Sequence, residues 1–241
     1  MRSSRSAPRQ RGSIEREATA RANWRCAMMR SSPTTRAESA TNSPVPRTVL
    51  SHLLGVNRRL TELSTGLSTK AERFFRRYGY PEWLETHSRV VGAIAEALIR
   101  ARRRGAPPID AEAVMLGAYL HDIGRSPLLA GDPRDHNVLS GIVLAAEGLG
   151  ACVEVARRHA IYTVLDPELA PRTAEEKLVY VADRRGGQQV EPLDMRAQDT
   201  ARRNPKYAEE IGRAIPLAKA LEREVFSETS LAPDDLAGRV R

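Results

Sequence analysis

The residues able to do chemistry gather first between Ala118 and Arg125, where an apolar helical run ends in His121, Asp122, Ile123, Gly124 and Arg125. Adjacent imidazole and carboxylate groups at the end of a buried helix are costly to hold there without a shared partner. A divalent metal suits both side chains. Neighbouring residues project about 100° apart on a helix, so His121 can hold one ion while Asp122 leans on the same ion or bridges two. Gly124 offers a helix stop. Arg125 sets a positive charge just outside the pocket.

Further side chains of the same kind recur along the chain. His87 lies on a stripe with Leu84, Val91, Ile94 and Leu98, at the 3-4-3-4 spacing of an inward helix face. His136 shares a face with Leu139 and Val143, and His159 follows Cys152 and Val155 at i, i+3 and i+7. Asp183 ends the apolar run that begins at Leu178. A single inward histidine is more often satisfied core than ligand, but four of the five histidines fall on this pattern. Two divalent ions about 3.5–4 Å apart can hold a hydroxide between them and clamp phosphoryl oxygens.

Secondary candidates surround these positions. Arg184 and Arg185 follow Asp183 and are the next choices after Arg125 for a phosphate contact. Arg157 and Arg158 flank His159 and read either as such a contact or as solvated charges, Lys177 as a surface charge, Cys152 as small core filling, and His52 as an ordinary helix histidine.

The elements that must position these groups read as helices throughout. A leucine-bearing segment spans 49–67, and Ser68 is expected to cap a new helix that stops at Gly79. Pro81 opens a helix to about Arg104, whose arginines suit the negative end of its dipole. Asp110 caps a helix from Ala111 to Asp122 that is apolar nearly all round, the mark of a central element. Asp135 can cap a helix from His136 to about Leu149. Thr173 and Glu176 form a capping box for a helix ending at Gly186-Gly187, and amphipathic helices follow at about 193–203 and 206–226. Neither strand alternation nor an internal repeat is evident.

The composition bounds the rest. The chain has 241 residues, 41% of them hydrophobic and 5% aromatic, which suits an aliphatic core. Its net charge of +8 is uneven: ten arginines and three glutamates fall in residues 1–47, leaving the remainder close to neutral. The charge therefore reports a basic, Arg/Ser-rich segment expected to be disordered, and it argues against a nucleic-acid-binding domain. Only Trp24 there could stack on a base. Two cysteines, Cys26 and Cys152, give no disulfide framework, so a cytoplasmic setting is expected. No apolar run is long enough for a membrane span. The expected organisation is a disordered tail (1–47), a connecting segment (48–67), one all-α domain (68–228) and a C-terminal tail (229–241).

His121-Asp122-Ile123-Gly124 resembles the signature of the HDIG-type HD-domain metal-dependent phosphohydrolases. The order His87, His121-Asp122, His136, His159, Asp183 matches the ligand order of that superfamily, over roughly residues 70–226. The resemblance implies a helical HD bundle with its metal centre in the core. Members with only the equivalents of His87, His121, Asp122 and Asp183 bind one ion; the two added histidines imply two, with Asp122 bridging them. Iron or manganese is favoured by the resemblance, while zinc, cobalt, nickel and magnesium suit the same donors. Asp122 and Arg125 would be the catalytic residues. The implied substrate is a small phosphoester, a nucleotide or a related molecule, and a homodimer is open. The layout is similar to that of bacterial HD enzymes that split symmetrical dinucleoside tetraphosphates, but the residues after His159 and the Gly-Gly after Asp183-Arg-Arg depart from them. The cyclic-di-GMP phosphodiesterase branch is excluded because neither its paired histidines nor its Gly-Tyr-Pro turn occurs around His159. Two other classes compete: a di-iron HD-type oxygenase, and a non-catalytic nucleotide-binding module that kept the ligands.

Overall fold

A computed structural model describes residues 47–240, with side chains from Arg58 onward; the readings made for residues 1–46, including Trp24 and Cys26, and for the His52 side chain lie outside the described residues. Among the described residues the chain forms eight α-helices and short 3₁₀ turns, with no strand beyond two isolated bridges. No helix there is long and apolar enough to cross a membrane.

The first helix, α1 (Arg47–Arg77), passes through Ser68 without the expected new start. Thr65 and Thr69 return their hydroxyls to the carbonyls four residues earlier, at 3.0 Å each, and nothing between them forbids helical backbone. Gly79, at φ 59°, then reverses the chain as expected. After Pro81, α2 (Glu82–Arg100) stops four residues short of Arg104. A competing partner takes the next backbone groups: the N–H of Ser230 donates to Ala101 (2.8 Å) and the N–H of Arg103 to Glu228 (2.8 Å).

The central element is α3 (Ala111–Leu120). Asp110 caps it by accepting from the Ala113 N–H at 3.0 Å, and every residue from Ala113 to Leu120 is buried. One side of it joins Val91, Ile94, Leu98, Leu178 and Phe226 in the main core. The other side joins Ala71, Phe75 and Leu144. The Thr173/Glu176 capping box forms as read, and starts α6 (Ala174–Arg185), which packs on both α2 and α3.

Between α3 and α6 the helices are shorter than the periodicity predicts. α4 (His136–Ala146) ends three residues before Leu149, and Gly148 at φ 74° turns the chain. Asp135 precedes α4 without capping it; its carboxylate instead accepts from the Tyr162 hydroxyl at 3.4 Å. α5 (Val153–Arg157) is a brief helix that ends before His159. α7 (Leu193–Arg203) and α8 (Ala208–Ser227) follow the expected course. The segment after α8 is not a solvated tail: Leu231 and Leu236 are buried in the main core. There Arg185 pairs with Glu222 at 3.1 Å and donates to the Pro233 carbonyl at 2.6 Å.

Candidate metal centre

Gly124 seats the turn that follows α3 against α4. It is not a left-handed helix stop, since the positive-φ glycines are Gly79 and Gly148. Its role is closeness: an added Cβ would stand 2.0 Å from the His136 carbonyl oxygen. The Gly124 N–H donates to the Ser140 hydroxyl at 2.9 Å, which ties the turn to α4. His136, the first residue of α4, is thereby brought beside His121 and Asp122.

His159 reaches the same place by a different route. The Asn137 amide takes the Arg157 carbonyl at 2.8 Å and the Thr163 hydroxyl takes that of Arg158 at 2.9 Å. These bonds satisfy the carbonyls at the end of α5 and turn His159 inward. His87 arrives from α2 and Asp183 from α6.

The six side chains divide around Asp122. On one side, His87 Nε2 lies 3.1 Å from His121 Nε2 and 3.3 Å from Asp183 Oδ1. Asp122 Oδ2 faces this group, 3.6 Å from His87 Nε2 and 3.8 Å from His121 Nε2. On the other side, Asp122 Oδ1 lies 3.1 Å from His159 Nε2 and 3.4 Å from His136 Nε2, and those nitrogens are 3.3 Å apart. Donors about 2.1 Å from a common ion stand roughly 3.0–3.4 Å apart at octahedral or tetrahedral angles. The spacing thus suits cation coordination on both sides of one carboxylate. His87, His121 and Asp183 form one buried group whose donor atoms lie within 4.8 Å of one another, and His121, Asp122 and His159 form a second.

The tautomers support the same fit. Nδ1 of His121 meets the Ala118 carbonyl at 2.7 Å, Nδ1 of His159 the Ala156 carbonyl at 2.5 Å, and Nδ1 of His87 the Gly187 carbonyl at 3.3 Å. A carbonyl only accepts, so each Nδ1 carries a proton, and in the neutral ring Nε2 then presents its lone pair inward. Two such lone pairs 3.1 Å apart repel each other unless a cation lies between them.

Electrostatics keep the donors in their ligating forms. Burial pushes the His121 imidazole down to about 4, although Asp122 and Asp183 oppose it, and burial pushes His136 down to about 3. Burial alone would raise Asp122, but Arg125 and His121 outweigh it and hold the carboxyl well below the usual carboxylate range. For Asp183, Arg184 and His87 likewise outweigh burial. Above pH 6.5 both imidazoles are neutral whether the chain is folded or unfolded. Below it the unfolded chain takes up protons that the folded site refuses, so stability is lost as pH falls toward 4 for His121 and toward 3 for His136. The thermal midpoint of chelator-stripped protein is expected to fall steadily from pH 6.5 to 4. A flat profile across that window would contradict this account.

The charged candidates separate clearly. Arg125 donates from Nε to Asp122 Oδ1 at 2.9 Å and its Nη2 meets His136 Nε2 at 3.0 Å. Arg184 contacts Asp183 and stacks over the Tyr180 ring. Arg185 belongs to the buried pair with Glu222 instead. Lys177 pairs with Glu224 at 2.7 Å and Arg157 with Glu154 at 3.0 Å, both away from the centre. Arg158 is not a solvated charge: it is largely buried, tying Glu154 to the carbonyls of Glu168 and Ala170. Cys152 packs against α3, its thiol 3.7 Å from the Ala113 carbonyl.

A cleft of about 650 Å³ opens over the centre. Sequence reading missed several residues that line it: Trp83, Tyr162, Arg196, Thr200, Arg203 and Tyr207. One signal was available for α7, since Arg196, Thr200 and Arg203 recur at helical spacing. Trp83 had another, lying one turn before His87. Both aromatic rings are about half exposed, Trp83 at 50% and Tyr207 at 46%.

No curated protein and no solved structure matches the chain. Residues 84–185 match the family description "HD domain". That span runs from the start of the His87 stripe to the end of α6 and includes all six converging side chains. Residues 84–185 thus carry the HD-domain pattern, which is consistent with the superfamily of metal-dependent phosphohydrolases that share it.

Proposed function

We propose that the protein is a metal-dependent phosphohydrolase that cleaves a nucleotide or a related small phosphoester. The observation that carries this reading is the division of Asp122, whose two carboxylate oxygens face two separate sets of imidazoles. His87, His121, Asp122 and Asp183 would hold one divalent ion, and Asp122, His136 and His159 a second, with iron or manganese favoured. Bound there, the ions would supply Lewis acidity and an activated water at neutral pH.

The chain's own residues set the rest of the chemistry. Backbone carbonyls at Nδ1 hold the imidazoles of His87, His121 and His159 so that Nε2 is the atom turned inward. Arg125 lines the cleft beside Asp122 and His136, and orients a cation toward the reacting phosphoryl oxygens. Tyr162 also lines the cleft. Burial and Asp135 push its hydroxyl up to about 12, so it keeps its proton at neutral pH, directed to Asp135 and Asn137, and its oxygen can accept from a substrate group. The half-exposed rings of Trp83 and Tyr207 give the cleft flat apolar surfaces of the kind on which bases stack.

The test is metal analysis of the purified protein, followed by a phosphoester screen with and without oxygen. Metal-dependent phosphate release in both conditions is expected. Oxygen consumption without phosphate release would replace this reading with the oxygenase one. Arg125→Ala is expected to keep the bound metal and lower kcat about 100-fold, the scale of removing one charge-stabilising donor. Unchanged kcat in that variant would remove Arg125 from the mechanism.

A further inference from the structure

α7 turns one face to the cleft. Arg196, Thr200 and Arg203 follow at i, i+4 and i+7, and all three line the cleft together with Arg184 of α6. Leu193 and Ala197, both buried, anchor the helix from its other side.

Arg196 is a mostly buried cation with few partners of its own. Its side chain is only 18% exposed. Nε donates to the Gly186 carbonyl at 2.8 Å, while Nη1 has only the Thr200 hydroxyl at 3.4 Å and Asp199 at 4.0 Å. Nη2 has no protein partner. Asp199 cannot neutralise this face alone, because it is shared with Arg202 at 3.2 Å and Arg203 at 2.8 Å. Burial disfavours the Arg196 charge, and Arg184 and Arg203 add to that effect against the attraction of Asp183 and Glu191. The Nε of Arg184 is also buried without a partner. A desolvated guanidinium beside two others calls for an anion. Arg125 is held by Asp122, whereas Arg196 stands on α7 within the influence of Asp183 and Arg184, so the two guanidinium groups approach the centre by different carboxylates.

We propose that Arg196, with Arg203 and Arg184 beside it, binds a second phosphoryl group, so that the substrate carries a phosphate chain rather than a single phosphate. This rests on the phosphohydrolase reading above and adds a specificity site to it. Thr200 fills the gap between the two α7 arginines with a hydroxyl donor.

Metal-loaded full-length protein, kept in buffered excess Mn²⁺, is titrated calorimetrically with AMP and with ADP, and hydrolysis of p-nitrophenyl phosphate is followed in parallel. ADP is expected to bind about tenfold tighter than AMP, the scale of one charge-assisted phosphate contact. In Arg196→Gln and in Arg203→Gln that preference should shrink to within about twofold. Equal binding of AMP and ADP by the wild-type protein, or a preference that survives both substitutions, would overturn the proposal. Arg196→Gln gives up the bond to Gly186; if it does not fold, Arg203→Gln decides, since the Arg203 side chain is 58% exposed. Failure to hydrolyse p-nitrophenyl phosphate, AMP and ADP would count against the phosphohydrolase reading, while the ADP-to-AMP ratio would still report on the subsite.

Discussion

Asp122→Ala is expected to abolish phosphate release, by about 10³-fold or more, and to strip metal from the protein. Asp122 turns one carboxylate oxygen to each half of the cluster. Asp122 Oδ2 faces His87 and His121, and Oδ1 faces His136 and His159. Removing it takes away the carboxylate charge that would offset the bound metal and leaves Arg125 without its carboxylate. Asp122→Asn is the companion variant. It keeps the size of the side chain and one oxygen, so it separates loss of charge from loss of volume. Both variants should show the far-ultraviolet circular dichroism of the wild type, with metal measured by elemental analysis. Retention of more than about a tenth of the activity and of the full metal content in Asp122→Ala would sink the two-sided centre.

Gly124→Ala is expected to cost about 3–5 kcal/mol and to lower the thermal midpoint by about 10 °C or more. Helix propensity alone predicts the opposite sign, because alanine is the better helix former. Contact decides against propensity here. The new Cβ would lie 2.0 Å from the His136 carbonyl oxygen and 2.8 Å from the Ser140 amide nitrogen, both backbone atoms of the first turn of α4. Neither can swing aside as a side chain would, so the turn and α4 must separate. The bond from the Gly124 N–H to the Ser140 hydroxyl is lost with that movement, and His136 moves away from Asp122. A thermal melt of chelator-stripped protein reads the effect without any contribution from metal. A midpoint within about 2 °C of the wild type would refute the packing argument.

These two residues also mark how far the sequence could be read. The helical pattern and the inward position of His87 follow from local rules, since Leu84, Val91, Ile94 and Leu98 set the buried stripe and Asp110 and Thr173 set helix starts. The meaning of Gly124 was not legible. A glycine just after a helix reads as a stop, and only the distance to α4 reveals a close approach. The helix ends were misread where a distant segment supplied the deciding partner, as when residues 228–230 captured the backbone after Ala101. Asp135 failed as a cap for a similar reason, with Tyr162 competing for its carboxylate. The α7 face of the cleft escaped notice because its arginines alternate with Asp199 and Arg202, which looks like an ordinary solvated helix.

One consequence follows from how the imidazoles are mounted. His87 and His121 belong to α2 and the end of α3, which are braced by the main core. His136 is the first residue of α4, and His159 hangs beyond a five-residue helix by two side-chain bonds. Asp122 therefore has a stiff flank and a compliant one. Thermal breathing, or the strain of a bulky occupant in the cleft, should loosen the compliant flank first and leave the other in register.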